Sequence, residues 1–141
     1  MKKYNTVIIG GGACGASAAA RIRRLDESAE IIVLEKTGEI SIANCGLPYY
    51  CSNVIASEEK MHVSSVQKFK NLLNVDIKMG ANVTDINRIE KTVIVNDSEV
   101  LSYDKLVLTP GAEPFVPDIQ GINNPKIHTL RMLKDGNAIK E

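Results

Sequence analysis

Residues 6–27 read "TVIIGGGACGASAAARIRRLDE", and this stretch decides the fold. Val7, Ile8 and Ile9 are the apolar centre of "YNTVIIG", a short run bounded by glycine, which predicts a buried strand. The alanine-rich sequence after it favours helix, and Asp26 to Ser28 end that helix. Further on, "AEIIVLEK" predicts a second buried strand. A strand, a glycine-rich turn, a helix and a strand within about thirty residues make a βαβ unit.

Gly10-x-Gly12-x-x-Gly15 falls at the turn between the first strand and the helix. In a dinucleotide loop the first glycine permits the tight turn and the second lets backbone approach a pyrophosphate. The third lets the helix lie close on the sheet. The helix start then offers N–H groups and a positive dipole end to phosphate. Glu35 closes the second strand twenty residues beyond Gly15, where a carboxylate suits ribose hydroxyls. A tight turn in some other α/β protein is the competing reading, and the flanking strand, helix and Glu35 disfavour it. Glu35 also disfavours a 2′-phosphate, so the expected ligand is FAD or NAD rather than NADP.

Composition narrows the class. The 141 residues suggest one domain, 44% hydrophobic and 24% charged, an ordinary globular balance. Basic and acidic residues balance at 17 each, so no global field draws in nucleic acid or an anionic membrane. No apolar run is long enough to cross a bilayer. Lys2 and Lys3 ahead of Val7–Ile9 imitate a signal peptide, but that apolar run is too short and glycines interrupt it. The expected location is cytoplasmic. Cys14, Cys45 and Cys51 form no metal-ligand spacing with His62 or His128, and no metal is expected. An odd cysteine count without a secretion signal predicts reduced thiols.

Beyond the βαβ unit, residues 36–44 read as loop. Asn44 is a plausible N-cap for a short helix over about residues 45–52, with Pro48 in its first turn. "SSVQKFKNLLN" predicts a helix capped by Ser64 or Ser65, with Val66, Phe69, Leu72 and Leu73 on one face. Residues 75–112 predict a small antiparallel meander and then a buried strand, Lys105–Thr109. A Pro-rich extended stretch runs from Gly111 to Pro125. "IHTLRMLKDGNAIKE" predicts a strand start and then a helix start.

Two further segments sharpen the reading. "YDKLVLTPGAEP" ends a strand in a Pro-Gly turn, and "SIANCGLPYY" (residues 41–50) sets Cys45 between Asn44 and Gly46. A helix N-terminus at Cys45 would favour its thiolate, which attacks disulfides or oxidises to a sulfenic acid. A buried, inert thiol is the competing reading. In order, these segments resemble the FAD half of the pyridine nucleotide–disulfide oxidoreductases. Ser41, Asn44, Cys45, Leu47, Pro48 and Tyr49 match the motif of coenzyme A–disulfide reductases, single-cysteine NADH oxidases and peroxidases, and persulfide reductases.

The resemblance implies an α/β, Rossmann-like three-layer FAD domain with a small antiparallel meander, incomplete at its C-terminal end. It implies residues 1–118 as the FAD-binding part and 119–141 as a linker toward an NADH-binding domain. Cys45 would be the redox centre. FAD would be held by Gly10, Gly12, Ala13, Gly15, Glu35, Lys36, Asn44, Val83, Thr109, Pro110 and Gly111. Ser17, Arg21, Arg24, Ser41 and Asn44 would contact CoA, although a solvated helix face equally explains the arginines. Members of this group that act on oxygen or peroxide carry a histidine where Ala13 stands, so the resemblance favours the CoA-disulfide or persulfide reductases. A CoA-contacting lysine of relatives falls at or near Leu73. Cys51, six residues beyond Cys45, is expected to pack rather than resolve a disulfide. NADH would be the electron donor and a homodimer the assembly of the complete enzyme. No second glycine motif for NADH occurs in these residues, so this chain alone is expected to be catalytically incomplete. A stand-alone, non-enzymatic nucleotide-binding module is the alternative.

Overall fold

The computed structural model describes residues 2–141. They divide into two compact units. The first comprises the chain through Ser41 together with Ser64–Gly111; the second comprises Ile42–Val63 and Ala112–Glu141.

The first unit is built on a six-stranded sheet in the order β3-β2-β1-β6-β5-β4. Its strands are β1 (Lys2–Ile9), β2 (Ile31–Glu35), β3 (Asp76–Met79), β4 (Val83–Asn87), β5 (Thr92–Val95) and β6 (Glu99–Leu108). β1 lies between β2 and β6, parallel to both, and β3 extends the parallel set beyond β2. β4, β5 and β6 are antiparallel neighbours. Helices α1 (Ala13–Leu25) and α3 (Val66–Leu73) complete the unit. This is the expected Rossmann-like α/β fold.

Strand alternation explains the two cores. Ile31 and Val33 of β2 join Ile8 of β1, Ala16 and Ala19 of α1 and Phe69 of α3. Ile32 and Leu34 point the other way, into Tyr4, Val7, Val93, Val95, Leu101 and Tyr103. Every residue of β2 is buried, so its run is apolar rather than alternating.

Three expectations are corrected here. Residues 76–79 are the parallel edge strand beside β2, not part of the meander. The meander's last strand and the strand expected to be buried at Lys105–Thr109 are one ten-residue strand, β6, whose start pairs antiparallel with β5 and whose remainder pairs parallel with β1; it ends at Leu108, and its last four residues are exposed or half-buried. One strand serves both because pairing uses opposite edges of its backbone. Ser65 caps α3 by accepting the Lys68 N–H, while Leu72 is 77% exposed and lies off the buried face.

The second unit contains a 3-10 turn, Asn44–Gly46, the short helix α2 (Leu47–Cys51), a second 3-10 turn, Glu58–Met61, and α4 (Leu133–Lys140). Leu47, Tyr50, Met61 and Leu133 form its core. Asn44 opens the 3-10 turn and is not an N-cap; the residue before that turn is Ala43, and α2 begins only at Leu47. The expected strand near residue 127 is absent among the described residues, and α4 alone forms there. The turn at Glu58–Met61 was not expected, because four residues carry no period to read. No helix among the described residues is long and apolar enough to cross a membrane.

Candidate functional site

The glycine loop is shaped by exclusion. Gly10 has φ +100°, and a Cβ there would stand 2.1 Å from the Thr109 carbonyl oxygen. At Gly15 a Cβ would stand 1.9 Å from the Gly10 carbonyl oxygen, so only glycine lets α1 approach the end of β1. Thr109 fastens the loop from β6. Its backbone N–H donates to the Ile9 carbonyl at 2.8 Å, and its hydroxyl lies 2.9 Å from that oxygen and 3.0 Å from the Gly10 carbonyl.

Gly12 is the opposite case. It is exposed, and a Cβ there would meet nothing within 4 Å. Gly12 precedes α1, no side chain caps the helix start, and no acidic residue stands in the first turn. The open face at Gly12 together with the free N–H groups of a thirteen-residue helix fits an anion. Ala13 is the first helical residue, and Cys14 beside it is an exposed free thiol.

Glu35 meets this loop from the end of β2. Its carboxylate is buried, with Oε2 accepting the Gly11 N–H at 2.6 Å. Oε1 accepts the backbone N–H and the hydroxyl of Thr37, each at 2.8 Å. Lys36 next to it is exposed. The Glu35 carbonyl accepts the Ala81 N–H at 2.9 Å, two residues before Val83 opens β4. Ser41 is buried with φ +55°, and its N–H donates to the Gly11 carbonyl at 3.0 Å. Gly10, Gly12, Ala13, Gly15, Glu35, Lys36, Val83, Thr109, Pro110, Gly111 and Ser41 all belong to the first unit.

Ser17, Arg21 and Arg24 lie at positions i, i+4 and i+7 of α1, all exposed, with Cys14 on the same ridge. Gly15, Ala16, Ala19 and Arg23 form the buried face. Arg23 is therefore no part of a solvated stripe. Its guanidinium donates to the carbonyls of Leu73, Asp26, Glu27, Ala29 and Asn74 at 2.5–3.2 Å. This cation satisfies the carbonyl of Leu73, the last residue of α3, and those of the C-caps Asp26 and Asn74 and of the turn after α1. Asp26 closes the same corner. Hydrogen bonds from the Ser28 hydroxyl, then from the Ser28 and Ala29 backbone, hold its carboxyl below the usual range.

Asn44 and Cys45 lie in the second unit. Cys45 is an exposed free thiol in the middle of the 3-10 turn. The turn is tied by Ala43 N–H to the Met61 carbonyl at 2.9 Å and Gly46 N–H to the Ala43 carbonyl at 2.8 Å. Gly46 is buried, where a Cβ would come within 3.2 Å of Ile55 and Met61 side-chain carbons, while Cys45 beside it faces out. Cys51 is half-buried with Sγ 3.9 Å from the Gly136 carbonyl oxygen. Asp135 accepts from the backbone N–H of Met132 at 2.8 Å and of Arg131 at 2.9 Å. These bonds, Met132 first, hold its carboxyl below the usual range against the opposing effect of partial burial.

Sequence reading missed Thr37 and Arg23. A hydroxyl two residues beyond a strand-end carboxylate is a weak signal. An arginine in the last turn of a helix is a stronger one, because that end attracts cations.

Comparison with known proteins agrees with this geometry. Coenzyme A disulfide reductase of Staphylococcus haemolyticus is 36% identical over 140 residues, which cover 96% of this chain and 31% of that protein. The crystal structure of reduced Bacillus anthracis CoADR-RHD matches with a TM-score of 0.90 and 42% identity, over 99% of this chain and 26% of that one. A NAD-dependent persulfide reductase from A. fulgidus matches with a TM-score of 0.88 and 38% identity, over 96% of this chain and 27% of that one. The chain spans 31% of the length of the curated relative from S. haemolyticus. The family model of the pyridine nucleotide-disulphide oxidoreductases matches residues 4–141, and the chain belongs to that family.

Proposed function

We propose that the chain is the FAD-binding, cysteine-bearing part of an NAD(P)H-dependent flavoprotein reductase for a small disulfide or persulfide, such as CoA disulfide. The observation that carries this reading is the glycine loop. Gly10 and Gly15 are sterically obligatory, Gly12 faces open space at a helix start, and the buried Glu35 carboxylate is fixed beside them. The names of the similar proteins support the substrate class: coenzyme A disulfide reductase and persulfide reductase.

In this reading the N–H groups at the start of α1 take the FAD pyrophosphate, and Glu35 takes the adenosine ribose. When bound, FAD supplies a two-electron carrier between a nicotinamide donor and a disulfide. The Cys45 thiolate attacks one sulfur of the substrate disulfide, forming a mixed disulfide and releasing the other half as a thiolate. Two electrons then return the mixed disulfide to the Cys45 thiolate and the second substrate thiol. Arg21 and Arg24, with Ser17 between them and the loop, suit the phosphates of CoA, since guanidinium groups pair phosphate through several donors. Ala13 brings no titratable group to the loop, which favours disulfide over peroxide chemistry.

NADH-dependent turnover is assigned to a protein of the relatives' length, and the 141 residues alone should bind FAD without turning over NADH. The test is a visible absorbance spectrum of the purified chain, with FAD and NADH titrations. Flavin bands or saturable FAD uptake are expected; tight NADH binding without FAD binding would overturn the reading. Cys45 lies in the 3-10 turn ahead of α2 and so does not open a helix; alkylation of the folded chain at mildly alkaline pH, read by peptide mapping, should label this exposed thiol faster than the half-buried Cys51. Faster labelling of Cys51 counts against a redox role for Cys45.

A further inference from the structure

We propose that Thr37 is the positioning residue for ribose recognition: its hydroxyl and backbone N–H anchor Glu35 Oε1, and so present the open lone pair of Oε2 to a ligand hydroxyl. The proposal rests on the FAD reading above and adds to it the residue that determines hydroxyl selectivity.

The geometry is specific. A carboxylate offers about four lone-pair sites. In Glu35, Oε2 already accepts the Gly11 N–H, and Oε1 accepts both donors of Thr37. The Thr37 hydroxyl has one proton and two acceptors in reach, Glu35 Oε1 at 2.8 Å and the Glu39 carbonyl at 3.1 Å. Its oxygen accepts the Glu39 N–H at 3.2 Å, which keeps the hydroxyl in place. Oε1 is thus filled by the two Thr37 donors, and the open lone pair of the carboxylate is on Oε2, beside the Gly11 N–H.

That anchoring matters because Glu35 is only 7% exposed, so its carboxylate is oriented by the donors around it rather than by bulk water. The backbone N–H of Thr37 and the Gly11 N–H remain on the carboxylate throughout and hold its plane to the glycine loop. Thr37 thus aims the carboxylate at the ribose.

The experiment measures binding of ADP and 2′-deoxy-ADP to the chain by titration calorimetry, with melting curves alongside. The unaltered chain should prefer ADP by about tenfold, the scale of a hydrogen bond to a charged group. Thr37→Val keeps the backbone N–H and removes the hydroxyl, and should lower that preference by about threefold or more. Thr37→Ser should restore it, and Thr37→Ala should behave as Thr37→Val. Equal loss of affinity for both nucleotides, with the preference kept, would show a merely structural role and overturn the proposal. A chain that binds neither nucleotide nor FAD would remove the FAD reading itself, and this proposal with it.

Discussion

At Gly10 and Gly15 an added Cβ would stand 2.1 Å and 1.9 Å from backbone oxygens, whereas Cys45 is an exposed thiol on a turn. The glycine loop is fixed by what its own unit excludes. The Cys45 turn is fixed by its neighbours, Gly46 packed under Ile55 and Met61 and the Ala43 N–H on the Met61 carbonyl, and nothing in that packing requires a thiol. Residue identity in the first region is dictated by stability, and in the second it is free to be dictated by chemistry. Substitutions should therefore separate folding from function differently in the two places.

The largest effect is expected at Gly15. Gly15→Ala forces a methyl into the Gly10 carbonyl and should destabilise the first unit by about 3–5 kcal/mol, at the upper end for point changes. Gly12→Ala, three residues away in sequence, should cost only about 1 kcal/mol, the loss of a glycine N-cap, because its Cβ meets open space. Thermal unfolding followed by circular dichroism checks both. Equal melting of the two variants would break the steric account of the loop.

Arg23→Met should come next. It removes donors from five carbonyls at the end of α3 and in the turns after α1 and α3, and should cost about 2–4 kcal/mol. Arg23→Lys should recover less than half of that in denaturant unfolding, because an ammonium cannot reproduce the fork of donors.

The second unit should respond to acid. Asp135 has its folded-state carboxyl held below the usual range by the Met132 and Arg131 N–H groups. A depressed carboxyl contributes stability above its unfolded value, about 3.9, and loses it as pH falls through the lower folded value. Acidification below about pH 4 should therefore loosen α4, seen as a change in tyrosine signal from Tyr50, whose hydroxyl donates to Asn137 of α4 at 2.7 Å. Asp135→Asn should remove this part of the pH dependence. Cys45→Ser should have the smallest effect on stability, within about 0.5 kcal/mol, since the side chain is exposed.

How much was legible follows the same division. The βαβ unit was readable because sterics write it into residue type: glycine where φ is positive or backbones touch, and an apolar run where both strand faces are buried. β3 was misplaced because four half-buried residues, Asp76–Met79, show neither clean alternation nor a solid apolar run. β6 was split because its polar residues Asp104 and Lys105 fall mid-strand, where pairing with β1 continues past them. The Asn44 cap failed for a local reason: a 3-10 turn precedes α2, and no side chain caps either element. Cys45 itself was legible only through the motif around it. Thr37 was not legible, because its importance lies in a 2.8 Å hydrogen bond to Glu35 that only the folded loop brings within reach.

The central claim is that the open face at Gly12 is the pyrophosphate seat for FAD. The direct measurement is an FAD titration, by quenching of flavin fluorescence, of the unaltered chain and of Gly12→Val, each with its melting curve. The account predicts saturable binding by the unaltered chain and at least about a tenfold loss in a Gly12→Val protein that still melts cooperatively, because the side chain fills the space that the backbone offers to phosphate. Equal FAD affinity in a folded Gly12→Val protein would contradict it.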